Sequence, residues 1–365
     1  MKKILFISPT LRSGGAERQM VTIACLLSTE GYKVEFYTYQ GEKDDFYSDI
    51  LNSNSITIHY NPQNNWIKRI YEVRTFIRKG DYDAVISFLE VPNFLNNIAA
   101  IGGKKWKVIT GERSAQPKTF SSLRGKVFCY FQKYSDNIVC NSFNAKKRWE
   151  IERPIYKKKL DVIYNTVTMP QINSVYIPRK NGKTNIVVAA SLYSLKNPIG
   201  LINALSLMTQ EELNKIHIDW YGQLNVAFDG NNNLGVEVPN LIKERQLDDV
   251  ITISPPSKNI HNIMNEADAV ALFSKIEGLP NTICEAMTLG KPIIMTRVSD
   301  FETLITPSNG FLCDWNNPIS IKQSIIALTN CNFSQLAEMG RESRRIANGI
   351  FQSENVIKKW RSLID

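Results

Sequence analysis

The residues with the clearest chemistry run Ser274-Lys275-Ile276-Glu277-Gly278-Leu279-Pro280-Asn281-Thr282-Ile283-Cys284-Glu285-Ala286. Glu277 ends a loop after a predicted strand, Ala269–Phe273, and Gly278 lets a ligand approach the backbone closely. A helix is predicted over 281–289, stopped by Gly290. Glu285 then lies about one turn inside it. Two carboxylates eight residues apart, one on a loop and one on a helix, can grip hydroxyls at two places on one extended ligand. Between them the amides of 278–282 face an anion at a helix start. A plain surface loop followed by a solvated Glu is the alternative, and the carboxylates alone do not beat it. A second candidate is Ser13-Gly14-Gly15-Ala16-Glu17-Arg18. There Gly14 and Gly15 precede a predicted helix whose free N–H groups could meet an anion. It is neither GxGxxG nor a P-loop, and an ordinary tight turn explains it equally well.

Both segments need a strand and a helix to hold them. Ile4–Ser8 reads as a buried strand, 16–29 as a helix with Met20, Ile23, Ala24 and Leu27 on one face, and Val34–Thr38 as the next strand. This is the start of a doubly wound α/β sheet. Further strands are predicted at Ala84–Phe88, Lys107–Thr110, Asn137–Cys140 and Asp161–Tyr164. Pro170, Pro178, Asn181 and Gly182 mark a linker. A second alternating set follows: strands at Asn185–Ala190, Ile216–Tyr221, Val250–Ser254, Ala269–Phe273 and Pro292–Thr296, with helices over 198–209 and 258–266. A last helix, about 353–363, is expected after a break at Asn348-Gly349. The expected organisation is therefore a Rossmann-like domain over 1–168, a linker over 169–183, a second Rossmann-like domain over 184–348, and a tail helix within 349–365 packing back toward the first domain. Two such domains imply a cleft between them, with ligands outside the carboxyl ends of the strands.

The 365 residues suit two domains, and 43% hydrophobic with 22% charged residues is ordinary globular composition. Disorder, collagen and coiled coil are poor readings of such a composition. The net charge of +9 is uneven: residues 1–170 hold 26 Lys and Arg against 16 Asp and Glu, the rest 18 against 19. The first half thus points to an anionic partner. Six cysteines without a CxxC pair suit a reducing cytoplasm. The apolar run Ile4–Ile7 is too short for a signal segment, and no 18-residue apolar stretch is present.

Taken together, the segments resemble one family. Glu277 to Glu285 resembles the E-x7-E signature of retaining GT-B glycosyltransferases of the family 4 type, the glycosyl transferases group 1. Ser13 to Arg18 is similar to that family's first-loop signature, Val162-Ile163-Tyr164-Asn165 to its strand before the linker, and Leu192 to Asn197 to its basic loop. Asp219-Trp220-Tyr221-Gly222 and Glu285-Ala286-Met287 with Gly290-Lys291-Pro292 complete the pattern. The resemblance implies that Glu285 accepts hydrogen bonds from a nucleotide ribose and Glu277 contacts the donor sugar. The amides of Gly278, Leu279, Asn281 and Thr282 would line sugar and phosphate; Pro280 belongs to this wall but has no N–H to give. Gly14 and Gly15 would approach diphosphate or acceptor, and Lys196 would neutralise the leaving diphosphate without a metal. Glu112 or Arg113, in Thr110-Gly111-Glu112-Arg113-Ser114, would stand near acceptor and sugar. The sequence departs from the pattern at Ser191, where the family usually has Arg. Serine cannot replace a bidentate, permanently charged group. Another cation, Lys275 being one candidate, would then have to supply the charge, or donor affinity or activity is altered.

The remaining features are weighed against that reading. Asp81-Tyr82-Asp83 is literally D-x-D, yet it precedes a strand, away from the ligand edge, and reads as a solvated turn. His59, His217 and His261 read as structural. The runs Lys146-Lys147-Arg148 and Lys157-Lys158-Lys159 lack a nucleic-acid module. Residues 118–134 mix Lys118, Arg124, Lys126 and Lys133 with seven apolar side chains and read as a basic amphipathic helix able to meet anionic lipid. The expected protein is thus a cytoplasmic, peripheral membrane glycosyltransferase. Its donor would be a nucleotide sugar, UDP before GDP, and its acceptor a lipid-linked glycan of bacterial surface polysaccharide assembly. No cofactor, metal or nucleic acid is expected. The rivals are a soluble acceptor and a nucleotide-sugar-binding protein with weakened transfer.

Overall fold

The computed structural model describes residues 1–12, 14–113, 118–167, 169, 182–224 and 233–365. Ser13 and nearly all of the expected linker lie outside them. The chain forms two compact units, Met1–Thr166 with Gln352–Asp365, and Val167–Phe351.

The first unit is built on seven strands: β1 (Lys3–Ser8), β2 (Lys33–Thr38), β3 (Thr57–Tyr60), β4 (Ala84–Phe88), β5 (Lys107–Glu112), β6 (Asn137–Cys140) and β7 (Leu160–Val162). Their order is β3-β2-β1-β4-β5-β6-β7, every pair parallel. The second unit has β8 (Thr184–Ala189), β9 (Ile216–Tyr221), β10 (Ile251–Ser254), β11 (Ala269–Leu272), β12 (Ile293–Thr296) and β13 (Gly310–Cys313) in the order β10-β9-β8-β11-β12-β13, again all parallel. A parallel sheet covered on both faces requires apolar residues throughout its central strands. Ile4, Leu5, Phe6 and Ile7 of β1 and all of β4 are accordingly buried. The sequence order reverses at β1/β4 and at β8/β11. In open α/β sheets such switch points are where ligands bind.

The helices that bear on function are α1 (Gly15–Thr29), α2 (Trp66–Lys79), α3 (Glu90–Ala99), α4 (Leu123–Phe131), α5 (Phe143–Glu152), α6 (Ile260–Glu266), α7 (Asn281–Thr288), α8 (Phe333–Phe351) and α9 (Ser353–Ile364). Gly31 and Gly290 follow α1 and α7 with φ of +88° and +75°, the left-handed geometry that glycine tolerates. A Cβ at Gly340 of α8 would run into the Gly290 carbonyl oxygen, so this glycine lets α8 lie against the end of α7. Lys291 is buried beside that junction. It donates to the carbonyls of Asn265 and Ala267, and burial lowers its amine to about 8. The Gly290-Lys291-Pro292 block is thus a packing device.

Two expectations are corrected. The break at Asn348-Gly349 is absent, because α8 runs through both residues to Phe351. They lie on its solvent side, while Ser343, Ala347 and Phe351, four residues apart, are buried. Burial of that stripe outweighs the poor helix propensity of Gly349. Residues 118–134 do not form one helix. Ser122 accepts the Gly125 N–H at 3.0 Å and caps α4, separating it from a turn at Lys118–Ser121. The tail helix α9 belongs to the first unit, with Val356, Ile357, Trp360 and Ile364 buried in its core and Trp360 packed 5.9 Å from Phe88. Asp81 and Asp83 sit at the amino edge, where Asp83 accepts the Lys3 amide at 2.7 Å and Tyr82 bonds Glu35.

Candidate active site

The second unit's switch point is flanked by the loops after β8 and β11. The first carries Ser191 and Lys196, the second Glu277. The two loops are stitched together, the Lys275 N–H donating to Leu195 O at 2.8 Å. Lys196 Nζ forms an ion pair with Glu277 Oε1, and both side chains are largely buried. Glu277 is also fixed by Ser274 Oγ at 2.7 Å. A short helical turn, Ser194–Lys196, and a left-handed Asn197 with φ of +60° aim the lysine. Asn197 holds this turn by donating to Trp315 O at 2.8 Å.

Helix α7 starts at the same place. Pro280 caps it without a side-chain bond, while the amides of Ile283 and Cys284 bond Pro280 O. The N–H groups ahead of them are not used by the helix ladder and favour an anion. The Thr282 hydroxyl donates to Ala189 O at 2.9 Å, tying the helix start to the end of β8. Leu279 and Pro280 are buried and act as the loop's anchors. The Gly278 carbonyl accepts from Ser299 Oγ.

Glu285, one turn into α7, is 12% exposed, and its Oε2 lies 3.2 Å from His261 Nε2 on α6. From its place in the predicted helix 258–266, His261 reads as structural. It is the partner of the candidate ribose-binding carboxylate, and no spacing rule pairs residues on different helices. His59 and His217 bond Glu35 and Asp219 away from this loop pair. Ser191 lies where β8 and β9 end. Gly222 is needed there, because a Cβ would strike Ala190 O, and Trp220 Nε1 donates to the same carbonyl at 2.6 Å. The Asp219-Trp220-Tyr221-Gly222 segment thus braces the Ser191 turn. The Lys275 side chain lies over Trp315, 5.6 Å from the ring centroid.

The first unit presents its own residues at the β1/β4 edge. Gly14, extended at φ −156°, precedes α1, and the Glu17 side chain folds back over it. Burial raises the Glu17 carboxyl above its usual range. Glu112, at the end of β5, is buried and accepts from Asn93 Nδ2 at 3.3 Å. Burial first, and the Glu90 charge second, push it up to about 8, so it is protonated at neutral pH. Arg113 stacks 3.6 Å from the Phe88 ring centroid and donates Nη1 to Asn165 Oδ1 at 3.0 Å. Burial works against its charge, yet a guanidinium stays protonated. Its Nε and Nη2 are buried without partners among the described residues. Of the two residues, Arg113 is the one that carries a positive charge toward an anion. Among the described residues no three His, Cys, Asp or Glu side chains converge to hold a metal.

Comparison with known proteins matches this layout. Residues 13–169 match the model of Glycosyltransferase Family 4, and residues 173–346 that of glycosyl transferases group 1. An uncharacterized glycosyltransferase of Haemophilus influenzae is 23% identical over the full length of both chains. An alpha-1,4-N-acetyl-D-galactosaminyltransferase of Campylobacter jejuni, whose name gives a PP-undecaprenol-linked saccharide as acceptor, is 25% identical over 79% of this chain and 77% of its own. The crystal structure of Anabaena Alr3699/HepE in complex with UDP-glucose superposes with a TM-score of 0.81 over 99% of each chain, at 17% identity. The two family matches adjoin and together span most of the sequence, and each falls on one of the two Rossmann-like units: the chain belongs to the GT-B glycosyltransferases, with a family 4 type first domain and a group 1 second domain.

Proposed function

We propose that this glycosyltransferase moves a sugar from a nucleotide diphosphate to a lipid-linked glycan in bacterial surface polysaccharide assembly, with retention at the anomeric carbon. The observation that carries the donor half is the Lys196–Glu277 pair at the β8/β11 switch point, one helix turn from Glu285. A diphosphate placed at the start of α7 meets amides and Lys196, while Glu277 and Glu285 accept sugar and ribose hydroxyls. The bond from the anomeric carbon to the phosphate oxygen breaks and its electron pair leaves with the diphosphate. The acceptor oxygen attacks from the same face and passes its proton to a departing phosphate oxygen. Lys196 and the helix N-terminus stabilise the charge that develops. This scheme calls for neither a dedicated base nor a metal. UDP is favoured over GDP because a fold relative was crystallised with UDP-glucose.

The lipid half rests on the surface of the first unit and on the Campylobacter relative's acceptor. Leu123, Val127 and Tyr130 on α4, and Ile151 and Ile155 beyond it, are exposed among Lys126, Lys147, Lys157 and Lys158. An apolar stripe with a basic rim suits the inner, anionic face of the cytoplasmic membrane. No helix among the described residues is long and apolar enough to cross a membrane.

The test is turnover of a panel of nucleotide sugars with lipid-linked and soluble acceptors, read by released nucleotide and product anomer. Transfer to a lipid-linked acceptor with retained configuration is expected. An inverted product overturns the mechanism, and exclusive use of soluble acceptors overturns the lipid reading. Sedimentation with anionic liposomes should fall as salt is added; absent or salt-independent binding overturns membrane docking.

A further inference from the structure

The first unit has a cavity of about 810 Å³ at its own switch point. Pro9 follows β1, Tyr39 and Gln40 follow β2, and Leu89 to Pro92 follow β4, so its floor is the carboxyl edge where the strand order reverses. One wall is an aromatic stack. Trp66 of α2 lies 5.9 Å from Phe94 of α3, which lies 4.6 Å from Phe128 of α4. An arginine rests at each end. The Arg69 guanidinium is 4.7 Å from the Tyr39 ring and 5.7 Å from Trp66, and that of Arg124 is 5.2 Å from Phe128.

Neither arginine forms an ion pair with a described residue. Arg69 is only 8% exposed and gives Nε and Nη2 to one backbone oxygen, Gln63 O, at 2.9 and 2.7 Å. That clamp fixes the guanidinium and leaves Nη1 without a partner among the described residues. Tyr39 is 1% exposed, lines the cavity and has no hydroxyl partner among the described residues. Burial pushes its hydroxyl up, against the pull of Arg69 and Arg124. It therefore remains a neutral donor beside both cations. The lining sets two guanidinium groups against one carboxylate, Glu90, which accepts from the Thr119 hydroxyl at 3.1 Å. Leu89, a non-glycine residue, holds φ of +74° where it enters the cavity. Such strain persists where the surrounding structure imposes it, and it gathers at binding sites. It aims the start of α3, whose first amides add to the positive field.

Preorganised guanidinium groups, a hydroxyl donor and an exposed indole face have one common ligand. We infer that this cavity binds the acceptor sugar through a negative charge that the sugar carries, with Trp66 covering the pyranose face and Arg69, Arg124 and Tyr39 holding the anion. This rests on the acceptor being taken by the first unit. The anion has two sources, a phosphate on the anomeric carbon, as in a carrier-linked sugar, or a carboxylate on the ring of an acidic sugar. Helix α4 relates the first source to the surface: Arg124 and Phe128 line the cavity, while Leu123, Val127 and Tyr130 are exposed.

The test is ligand-observed NMR titration of the full chain with N-acetylglucosamine 1-phosphate, glucuronic acid and neutral N-acetylglucosamine, in saturating UDP to occupy the donor site. At least one anionic sugar should bind about tenfold more tightly than the neutral one, and which one identifies the source. R124A and W66A, both at exposed positions, should each weaken that binding about tenfold, with unchanged melting temperature and unchanged UDP affinity. Equal binding of the neutral sugar, or wild-type binding in both variants, overturns the inference. Absence of UDP binding overturns the donor reading instead, and leaves the comparison among the sugars standing.

Discussion

Replacing His261 by Ala tests the arrangement of the donor site most directly. Its Nε2 lies 3.2 Å from Glu285 Oε2, and the side chains are 23% and 12% exposed. A hydrogen bond to a charged carboxylate contributes about 1.5–3 kcal/mol where it is well buried. Partial exposure here reduces that to about 1–2 kcal/mol. Removal takes one hold off the Glu285 carboxylate, so the loss falls on recognition of the ribose. The dissociation constant of UDP should rise about 5–30-fold, since 1.4 kcal/mol is a factor of ten. Isothermal titration with UDP and with its 2′- and 3′-deoxy analogues reads this directly. In H261A the preference for the ribonucleotide should shrink by the same factor, with kcat nearly unchanged. H261Q, whose amide can still donate, should recover part of it. The decisive companion is E285A. If E285A loses the preference while H261A keeps it and binds UDP within twofold of wild type, His261 does not position the carboxylate.

Three further outcomes are expected. K196A should lower kcat by about 100-fold or more, the loss typical of one group that stabilises developing charge, with a smaller change in donor KM; wild-type turnover would remove Lys196 from the mechanism. G340A should lower the melting temperature by about 3–10 °C, because its Cβ meets the Gly290 carbonyl and overpacking costs about 1–3 kcal/mol; an unchanged melting curve would refute the packing argument. Glu112, raised from 4.5 to about 8, keeps a proton in the folded state between those values that the unfolded chain has released. Raising the pH through that window therefore destabilises the wild type relative to E112Q, with a limiting slope of about 1.4 kcal/mol per unit. Parallel stability profiles for the two proteins would show that Glu112 is ionised throughout.

Much of the donor site was legible because it is carried by loops of continuous sequence. Glu277, Gly278 and Glu285 lie within nine residues, and the strands beside them read as apolar runs because parallel sheets are covered on both faces. Lys196 and Ser191 needed the family resemblance. His261 was illegible, since its meaning comes from α6 packing beside α7, and its local setting is an ordinary helical pattern. The cavity of the first unit was hidden for the same reason: Trp66 and Arg69 share α2, while Tyr39, Leu89 and Arg124 come from three other places in the chain, and the five share no motif. The edge strands β3 and β13 were not read, because three of the four residues of β3 and two of the four of β13 are only partly buried, without a continuous apolar run. The false break at Asn348-Gly349 arose from local propensity overruled by a buried stripe.

The placement of α9 has a consequence for how the polypeptide is made. The second unit is one uninterrupted stretch of chain, whereas the first is closed by residues 352–365, synthesised after it. As the ribosome delivers the chain, the nascent first unit waits with the seat of Trp360 open beside Phe88. The first core therefore cannot close until residues 352–365 have left the ribosome, after every residue of the second unit has been made. Until then Val356, Ile357, Trp360 and Ile364 are missing from the first unit, and the apolar surface they cover is open to whatever surrounds the nascent chain.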